Sequence, residues 1–259
     1  MIATSGDEAF VMFALFPKEA LLLTFILFIV GIFSAFLIDK ITPLLKIKTC
    51  TECKDSNLHD NDDCRVLDFK EAIHHLTKMS FVRFLLIAII ITSITLLVTG
   101  VIGPGSWDWM RITFLSLMAF AFFIIAAVPD HYLTHHIYEH IFKKHLWKIF
   151  LWSFGILLLM NIGLKYWDLE TFIKSNMAWV MLIAGLVGLI PESGPHLIFV
   201  MLFSKSLVPF SVLLASSIVQ DGHGMLPLLS YSIKDSVLIK VFNLIIGLAI
   251  GYILFFFNL

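Results

Sequence analysis

The chain has 259 residues, of which 59% are hydrophobic and 14% are charged, and its formal net charge at pH 7 is −1. Soluble domains typically have about 25% charged residues, so this composition excludes an ordinary soluble protein. The mean hydropathy of +0.94 comes from many separate apolar runs, which predicts an all-α, polytopic bundle of transmembrane helices. The near-zero charge points to no particular partner beyond the lipid bilayer, and no nucleic-acid partner is expected.

Several apolar stretches are long enough to cross a bilayer as helices, which takes about 20 residues. The uninterrupted stretches are residues 20–38, 81–102, 107–128, 149–166 and 236–257. Residues 176–204 and 207–232 are also apolar, but a polar break interrupts each of them. Residues 1–16 form a shorter apolar piece that carries Asp7 and Glu8. The sequence therefore predicts a single transmembrane transport domain, residues 1–259, that contains discontinuous helices.

The distribution of basic residues predicts the orientation of these helices. Lys and Arg are frequent in residues 39–80 and 129–148 but do not occur in the turn 103–106. By the positive-inside rule, the two basic segments are cytoplasmic, and residues 103–106 and 167–175 face outside. Lys205 then returns to the cytoplasm if both interrupted stretches cross fully. The alternative is that the interrupted stretches are re-entrant hairpins.

The polar breaks in residues 176–204 and 207–232 are the candidate functional sites. The first reads Pro191-Glu192-Ser193-Gly194-Pro195-His196, and the second reads Gln220-Asp221-Gly222-His223-Gly224. Each break has one carboxylate and one histidine among helix-breaking residues. A charge in a membrane segment costs roughly 2.5–3.5 kcal/mol on insertion scales, so it is usually retained for a purpose. Transporters build substrate sites from broken helices of this kind.

The side chains at these breaks predict a metal site. Carboxylate oxygens and imidazole nitrogens suit Mn²⁺, Fe²⁺, Co²⁺ and Zn²⁺. The predicted ligands are Glu192, His196, Asp221 and His223, with contributions from Asp7 and Glu8. Because imidazoles must be neutral to bind a metal, binding should weaken as the pH falls. The alternative is a structural polar cluster in which Glu192 is protonated or paired with His223.

Two cytoplasmic segments carry a second set of potential metal ligands. In the His-rich connection 129–148, Asp130 precedes His131 and His135, which are four residues apart and would share a helix face. In the loop 39–80, thiolates and imidazoles lie close enough in sequence to hold Zn²⁺. The loop ligands are Cys50, Cys53, His59 and Cys64. The alternatives are a solvated helix and a flexible acidic loop without metal.

A weak internal repeat relates the N-terminal segment to the second break. Asp7 aligns with Asp221, and each copy continues through an apolar stretch and a lysine–acid pair into a long helix. In the predicted topology both copies end on the cytoplasmic side. The counterpart of the first break would precede Met1, so the chain is expected to be truncated at its N-terminus.

The segments around the breaks resemble a known family. Residues 189–196 and 208–227, together with the shorter segments 4–10 and 128–133, are similar to the ten-helix heavy-metal exporters. Members of that family are labelled arsenic efflux proteins or manganese transporters. The resemblance covers essentially the whole chain and implies a multi-pass exporter of the bacterial inner membrane. It also implies an upstream break with Gly and Cys that this chain lacks, which agrees with truncation.

The ligand chemistry narrows the predicted substrate. Arsenite and Cu(I) prefer thiolates, but all three cysteines lie in the loop 39–80, so Mn²⁺ is favoured, with Zn²⁺, Fe²⁺ and Co²⁺ as alternatives. We predict a secondary transporter and not an enzyme, with no permanently bound cofactor. No P-loop pattern is present, so an ion gradient would drive export, and proton coupling is a hypothesis. The alternatives are an intramembrane metalloenzyme and a metal-sensing membrane scaffold.

Overall fold

The computed structural model describes residues 6–44, 80–128, 130, 133, 146–166, 168–221, 225, 229 and 232–257. All regular structure within these ranges is helical, which confirms the all-α prediction. The described helices are α1 (Gly6–Leu15), α2 (Pro17–Leu44), α3 (Phe81–Thr99), α4 (Trp109–Ala127), α5 (Leu146–Tyr166), α6 (Leu169–Ser175), α7 (Met177–Gly188), α8 (Ser193–Ser204), α9 (Phe210–Val219) and α10 (Ile233–Phe256).

Four of the described helices, α2, α3, α4 and α10, are long and apolar enough to cross a membrane. Helices α5 and α6 form a bent pair with an angle of 90° and could provide a fifth span. Helices α7, α8 and α9 are apolar but only 10–12 residues long, because the two predicted breaks end them. The chain is therefore a multi-pass membrane protein with discontinuous helices.

The chain divides into two compact units. One comprises Met1–Lys54 with Trp152–Leu259, and the other is Asp55–Leu151. A single transport domain over residues 1–259 therefore stays a prediction. The predicted cytoplasmic segments 39–80 and 129–148 lie mostly outside the described residues.

The unit Asp55–Leu151 is built on an antiparallel pair of helices, α3 and α4. Arg83, near the start of α3, is fully buried and donates hydrogen bonds to the carbonyl oxygens of Ala126 and Val128 at 3.0 and 2.6 Å. These carbonyls end α4, where the helix leaves its acceptors unpaired and a cation is favoured. Arg83 thus fixes the chain where α4 stops.

Helix α9 is the centre of the other unit. Every residue from Ser211 to Val219 is buried, and α9 packs against α2, α7, α8 and α10. Small residues allow the close approach of α10, as is common between membrane helices. A Cβ atom at Gly247 would lie 2.9 Å from the backbone oxygen of Ala215, and one at Gly251 would lie 2.7 Å from the Ala215 Cβ.

We expect Gly247→Leu to lower the unfolding temperature of the purified protein in detergent. The new side chain would meet the α9 backbone, which cannot move aside, and overpacking of this kind costs about 1–3 kcal/mol or more. The matched control is Gly155→Leu on α5, because a Cβ there has no atom within 4 Å. Equal unfolding temperatures for the two variants would contradict the proposed α9–α10 contact.

Helices α7 and α8 fold back on each other as a hairpin. Lys174 near the end of α6 and Met177 at the start of α7 line a cavity of about 610 Å³. Ser204 at the end of α8 and Ser206 just after it line the same cavity. A full crossing of the membrane by residues 176–204 would place these two ends on opposite sides. Their shared cavity therefore favours the re-entrant alternative, and the side of the membrane on which Lys205 lies stays a prediction.

Helices α2 and α10 run in opposite directions. Glu19 from the start of α2 and Phe255 from the end of α10 line the same cavity. At this end of α10, the Tyr252 hydroxyl donates to the carbonyl oxygen of Ala178 on α7 at 2.9 Å. The expectation that both copies of the repeat end on the cytoplasmic side is therefore wrong. An inverted orientation is the arrangement found in many transporters with internal repeats.

Candidate functional site

Four helix ends meet deep inside the unit that contains α9. They are the N-terminal ends of α1 and α8 and the C-terminal ends of α7 and α9. A Cβ atom at Gly188, the last residue of α7, would lie 3.1 Å from the Ser216 oxygen of α9. Helix N-termini carry partial positive charge and C-termini partial negative charge. Discontinuous membrane helices use such ends to bind ions and charged substrates.

The first contact in this region joins α1, α8 and α9. His196 Nδ1 lies 3.0 Å from Glu8 Oε2, and His196 Nε2 lies 2.9 Å from Ser216 Oγ. The Ser216 hydroxyl also lies 3.0 Å from the Leu213 carbonyl oxygen, to which it can donate. Glu8 is only 2% exposed, and its Oε1 has no hydrogen-bond partner in the described part of the chain. This oxygen therefore has an unused capacity to accept a hydrogen bond or to bind a cation beside the imidazole.

Helix α1 favours a carboxylate at this place. Glu8 lies in the first turn of α1, where backbone N–H groups have no partner within the helix. The partial positive charge of this helix end stabilises the carboxylate, and that effect partly offsets its burial. The sequence pattern Gly6-Asp7-Glu8 thus presents an acidic residue at a membrane-depth helix start.

The second contact joins α7, α9 and α10 around Asp221. The Asn243 amide donates to Asp221 Oδ1 at 2.9 Å, and Lys240 Nζ lies 2.7 Å from Asp221 Oδ2. Lys240 also donates to the carbonyl oxygen of Gly188 at 3.2 Å. The lysine is therefore held between a carboxylate and the C-terminal end of α7, where a positive charge is favoured.

Two further polar side chains at the end of α9 are fully buried. Both amide atoms of Gln220 and the hydroxyl of Ser217 have no hydrogen-bond partner among the described residues. Buried polar groups are normally hydrogen-bonded, because leaving one unpaired costs about 1–3 kcal/mol. Next to Asp221, several buried donors and acceptors therefore have no hydrogen-bond partner among the described residues.

The structure brings some of the predicted metal ligands together and separates others. Glu8 and His196 are in contact, whereas Asp221 is paired with Lys240. Glu192 precedes α8 as its N-cap residue and is partly buried. His223 and the side chain of Asp7 lie outside the described residues. Within the described ranges no three His, Cys, Asp or Glu side chains form a metal-binding group, so the six-ligand site stays a prediction.

Lys240, Asn243, Ser216 and Gln220 are the residues that the sequence interpretation missed. Lys240 had a signal, because it is a charged residue within the predicted span 236–257, and such residues usually face a functional interior. Asn243, one turn further along α10, lies on the same face. Ser216 had no comparable signal, because it precedes the second break in an otherwise apolar run. Gln220 was recognised as part of that break but not as a site residue.

The comparison with protein families agrees with this geometry. Residues 1–258 match a family described as "Putative, 10TM heavy-metal exporter". The chain belongs to this family. No curated protein and no solved structure matches the chain. Membership in the exporter family confirms the resemblance found at the breaks, and it favours membrane transport of a heavy metal over catalysis.

The second set of predicted ligands in this exporter lies almost entirely outside the described residues. These are His131, His135, Cys50, Cys53, His59 and Cys64. Asp130 is described, and its Oδ1 accepts hydrogen bonds from Arg83 Nε at 2.9 Å and from Ser80 Oγ at 3.0 Å. Asp130 therefore helps to hold the end of α4, and the secondary metal sites stay predictions.

A second cavity leads towards the Asp221 contacts. It has a volume of about 470 Å³ and lies between α2 and α10. Gly31, Ser34 and Ala35 on α2 form part of its wall, and Asn243 lines it from α10. Because Asn243 is hydrogen-bonded to Asp221, one side chain links the wall of this cavity to the carboxylate.

Proposed function

We propose that this chain exports a divalent heavy-metal cation across the bacterial inner membrane, and that Mn²⁺ is the favoured substrate. The observation that carries the proposal is the buried contact between Glu8 and His196, which joins the starts of α1 and α8 beside the end of α9. Asp221, buried just after α9, is the second buried carboxylate at these breaks. A buried carboxylate is costly without a partner, and a divalent cation would offset that cost during transport. The available donors are oxygen and nitrogen, which suit Mn²⁺ better than thiolate-seeking ions.

The substrate site would include Glu192, His196, Asp221 and His223, with Asp7 and Glu8. The open Oε1 of Glu8 beside the His196 imidazole supports this set, since both ligand types already meet there. The exchangeable metal is the substrate, and no resident cofactor is proposed. Zn²⁺, Fe²⁺ and Co²⁺ share the same ligand preferences and are the competing substrates.

The two cavities suggest a path for the cation. With residues 39–80 in the cytoplasm, the cavity near Glu19 and Phe255 lies at the outer end of the α9 unit. The cavity beside Asn243 is lined by the second half of α2 and lies nearer to the cytoplasmic end. The Asp221 region would then lie between an inner and an outer approach, as alternating access requires.

Cellular metal content tests the proposal directly. Cells that express the protein are expected to contain less manganese than cells with an empty vector, because export lowers the internal pool. Elemental analysis would measure manganese, iron, cobalt, zinc and arsenic in the same samples. If a different metal decreases, that metal is the substrate in place of manganese. If no metal decreases, export is contradicted.

Flux in reconstituted vesicles tests the proposed energy source. The chain contains no P-loop pattern, so we propose that export is coupled to the proton gradient. An imposed pH gradient should then accelerate Mn²⁺ flux, and a protonophore should remove the acceleration. Flux that is unchanged by the gradient would refute proton coupling without refuting export.

A further inference from the structure

The surroundings of Lys240 resemble those of a bound cation. Its ammonium lies 2.7 Å from a carboxylate oxygen of Asp221 and 3.2 Å from the Gly188 carbonyl oxygen. Carboxylate oxygens and the carbonyls of broken helices are also the groups with which membrane proteins coordinate metal cations. The Asp221 region of this structure therefore already holds a positive charge, supplied by the protein itself.

A purely structural ion pair does not account well for this arrangement. Because both charges lose their hydration, a buried ion pair contributes little more to folding stability than a well-packed apolar pair. Stability alone therefore gives no reason to retain the two charges. A pair that only stabilises the fold would also be expected to have satisfied polar neighbours, because each unpaired group adds a cost. Gln220, next to Asp221, is instead fully buried with both amide atoms unpartnered within the described ranges.

We propose that Lys240 is a built-in competitor for the transported cation. Its ammonium occupies the Asp221 site in the metal-free protein, and the metal must displace it in order to bind. The inference rests on the proposed export function and specifies how that site is kept neutral when empty of substrate. The cavity of about 470 Å³ reaches Asn243, which is hydrogen-bonded to Asp221, so it approaches the site to within one side chain.

Competition has a measurable consequence for affinity. An ammonium that must leave Asp221 lowers the apparent affinity for metal, in the same way as any unfavourable equilibrium that precedes binding. Removing its charge should therefore tighten Mn²⁺ binding by about tenfold or more. It should also slow flux, because the ammonium no longer displaces the metal for release.

The test compares charge-removing and charge-conserving variants of the purified full chain. Lys240→Gln retains hydrogen-bond donors without the charge, and Lys240→Met removes both. Lys240→Arg retains the charge, and Lys234→Met removes an exposed lysine of the same helix. The measurements are the unfolding temperature without metal and its shift during titration with MnCl₂.

We expect Lys240→Gln and Lys240→Met to be destabilised without metal and to recover when Mn²⁺ is added. Saturating Mn²⁺ should raise their unfolding temperatures by about 5 °C or more, with a lower half-saturating concentration than in the wild type. Lys234→Met should titrate like the wild type, whereas Lys240→Arg, which keeps the charge, should not show the tighter Mn²⁺ binding of the two uncharged variants. A fixed structural ion pair would be damaged by Lys240→Gln in the same way, but metal would not repair it.

The outcomes separate this inference from the export proposal. If Lys240→Gln binds Mn²⁺ no more tightly than the wild type, or if neither variant folds even with Mn²⁺, the competitor role is overturned. If the wild type carries no metal in vesicles but Lys240→Gln is rescued by Mn²⁺, export is wrong and the competitor role stands. If no protein responds to Mn²⁺ and expressing cells show no decrease in any metal, both are overturned.

Discussion

Asp221→Asn is expected to abolish metal export. The substitution retains the shape of the side chain but removes the charge that would hold the cation at the end of α9. It also leaves the buried Lys240 without its counter-charge at 2.7 Å, which should cost about 3–5 kcal/mol of stability. The measurement is manganese content in cells, with the amount of protein in the membrane measured in the same samples.

A double variant separates the loss of function from the loss of stability. Asp221→Asn combined with Lys240→Met removes both buried charges, so most of the lost stability should return while export stays absent. Asp39→Asn removes an exposed carboxylate of α2 and should leave export unchanged. If Asp221→Asn lowers cellular manganese as well as the wild type does, Asp221 is not part of the transport site.

The sequence was most informative about local features. The uninterrupted spans start and end within a few residues of the described helices, because a long apolar run at membrane length has few alternatives to a helix. The breaks were equally clear, since proline and glycine with charged residues interrupt the apolar pattern. Glu8 and His196 were both predicted as ligands, and the structure places them in contact although they are 188 residues apart in sequence.

Long-range packing was beyond what the sequence could provide. Whether residues 176–204 cross the membrane or turn back depends on which helix the start of α8 meets, and that partner is α1 through Glu8. Apolar periodicity contains no information about this choice. Lys240 was missed for a related reason, because its partners Gly188 and Asp221 belong to two other helices. The direction of the repeat likewise follows from the cavity that the start of α2 shares with the end of α10.

Glu8→Gln, at the contact with His196, is expected to impair metal export while leaving the stability of the protein nearly unchanged. Glutamine has the same shape as glutamate, and its amide can keep one hydrogen bond to His196, so stability should change by only about 1 kcal/mol. The negative charge and the open carboxylate oxygen are lost, however, and these are the features that favour a divalent cation. We therefore expect manganese export to fall by about tenfold or more, as expected when a charged ligand is lost.

The control for this prediction is Asp39→Asn, which removes an exposed carboxylate of α2 that lines neither cavity. Cellular manganese and vesicle flux should be those of the wild type in Asp39→Asn and should approach the empty-vector values in Glu8→Gln. Normal export by Glu8→Gln would instead support the structural alternative, in which the Glu8–His196 contact only joins α1 to α8. The substrate would then bind nearer to Asp221, because the carboxylate there would be the remaining charged ligand among these buried contacts.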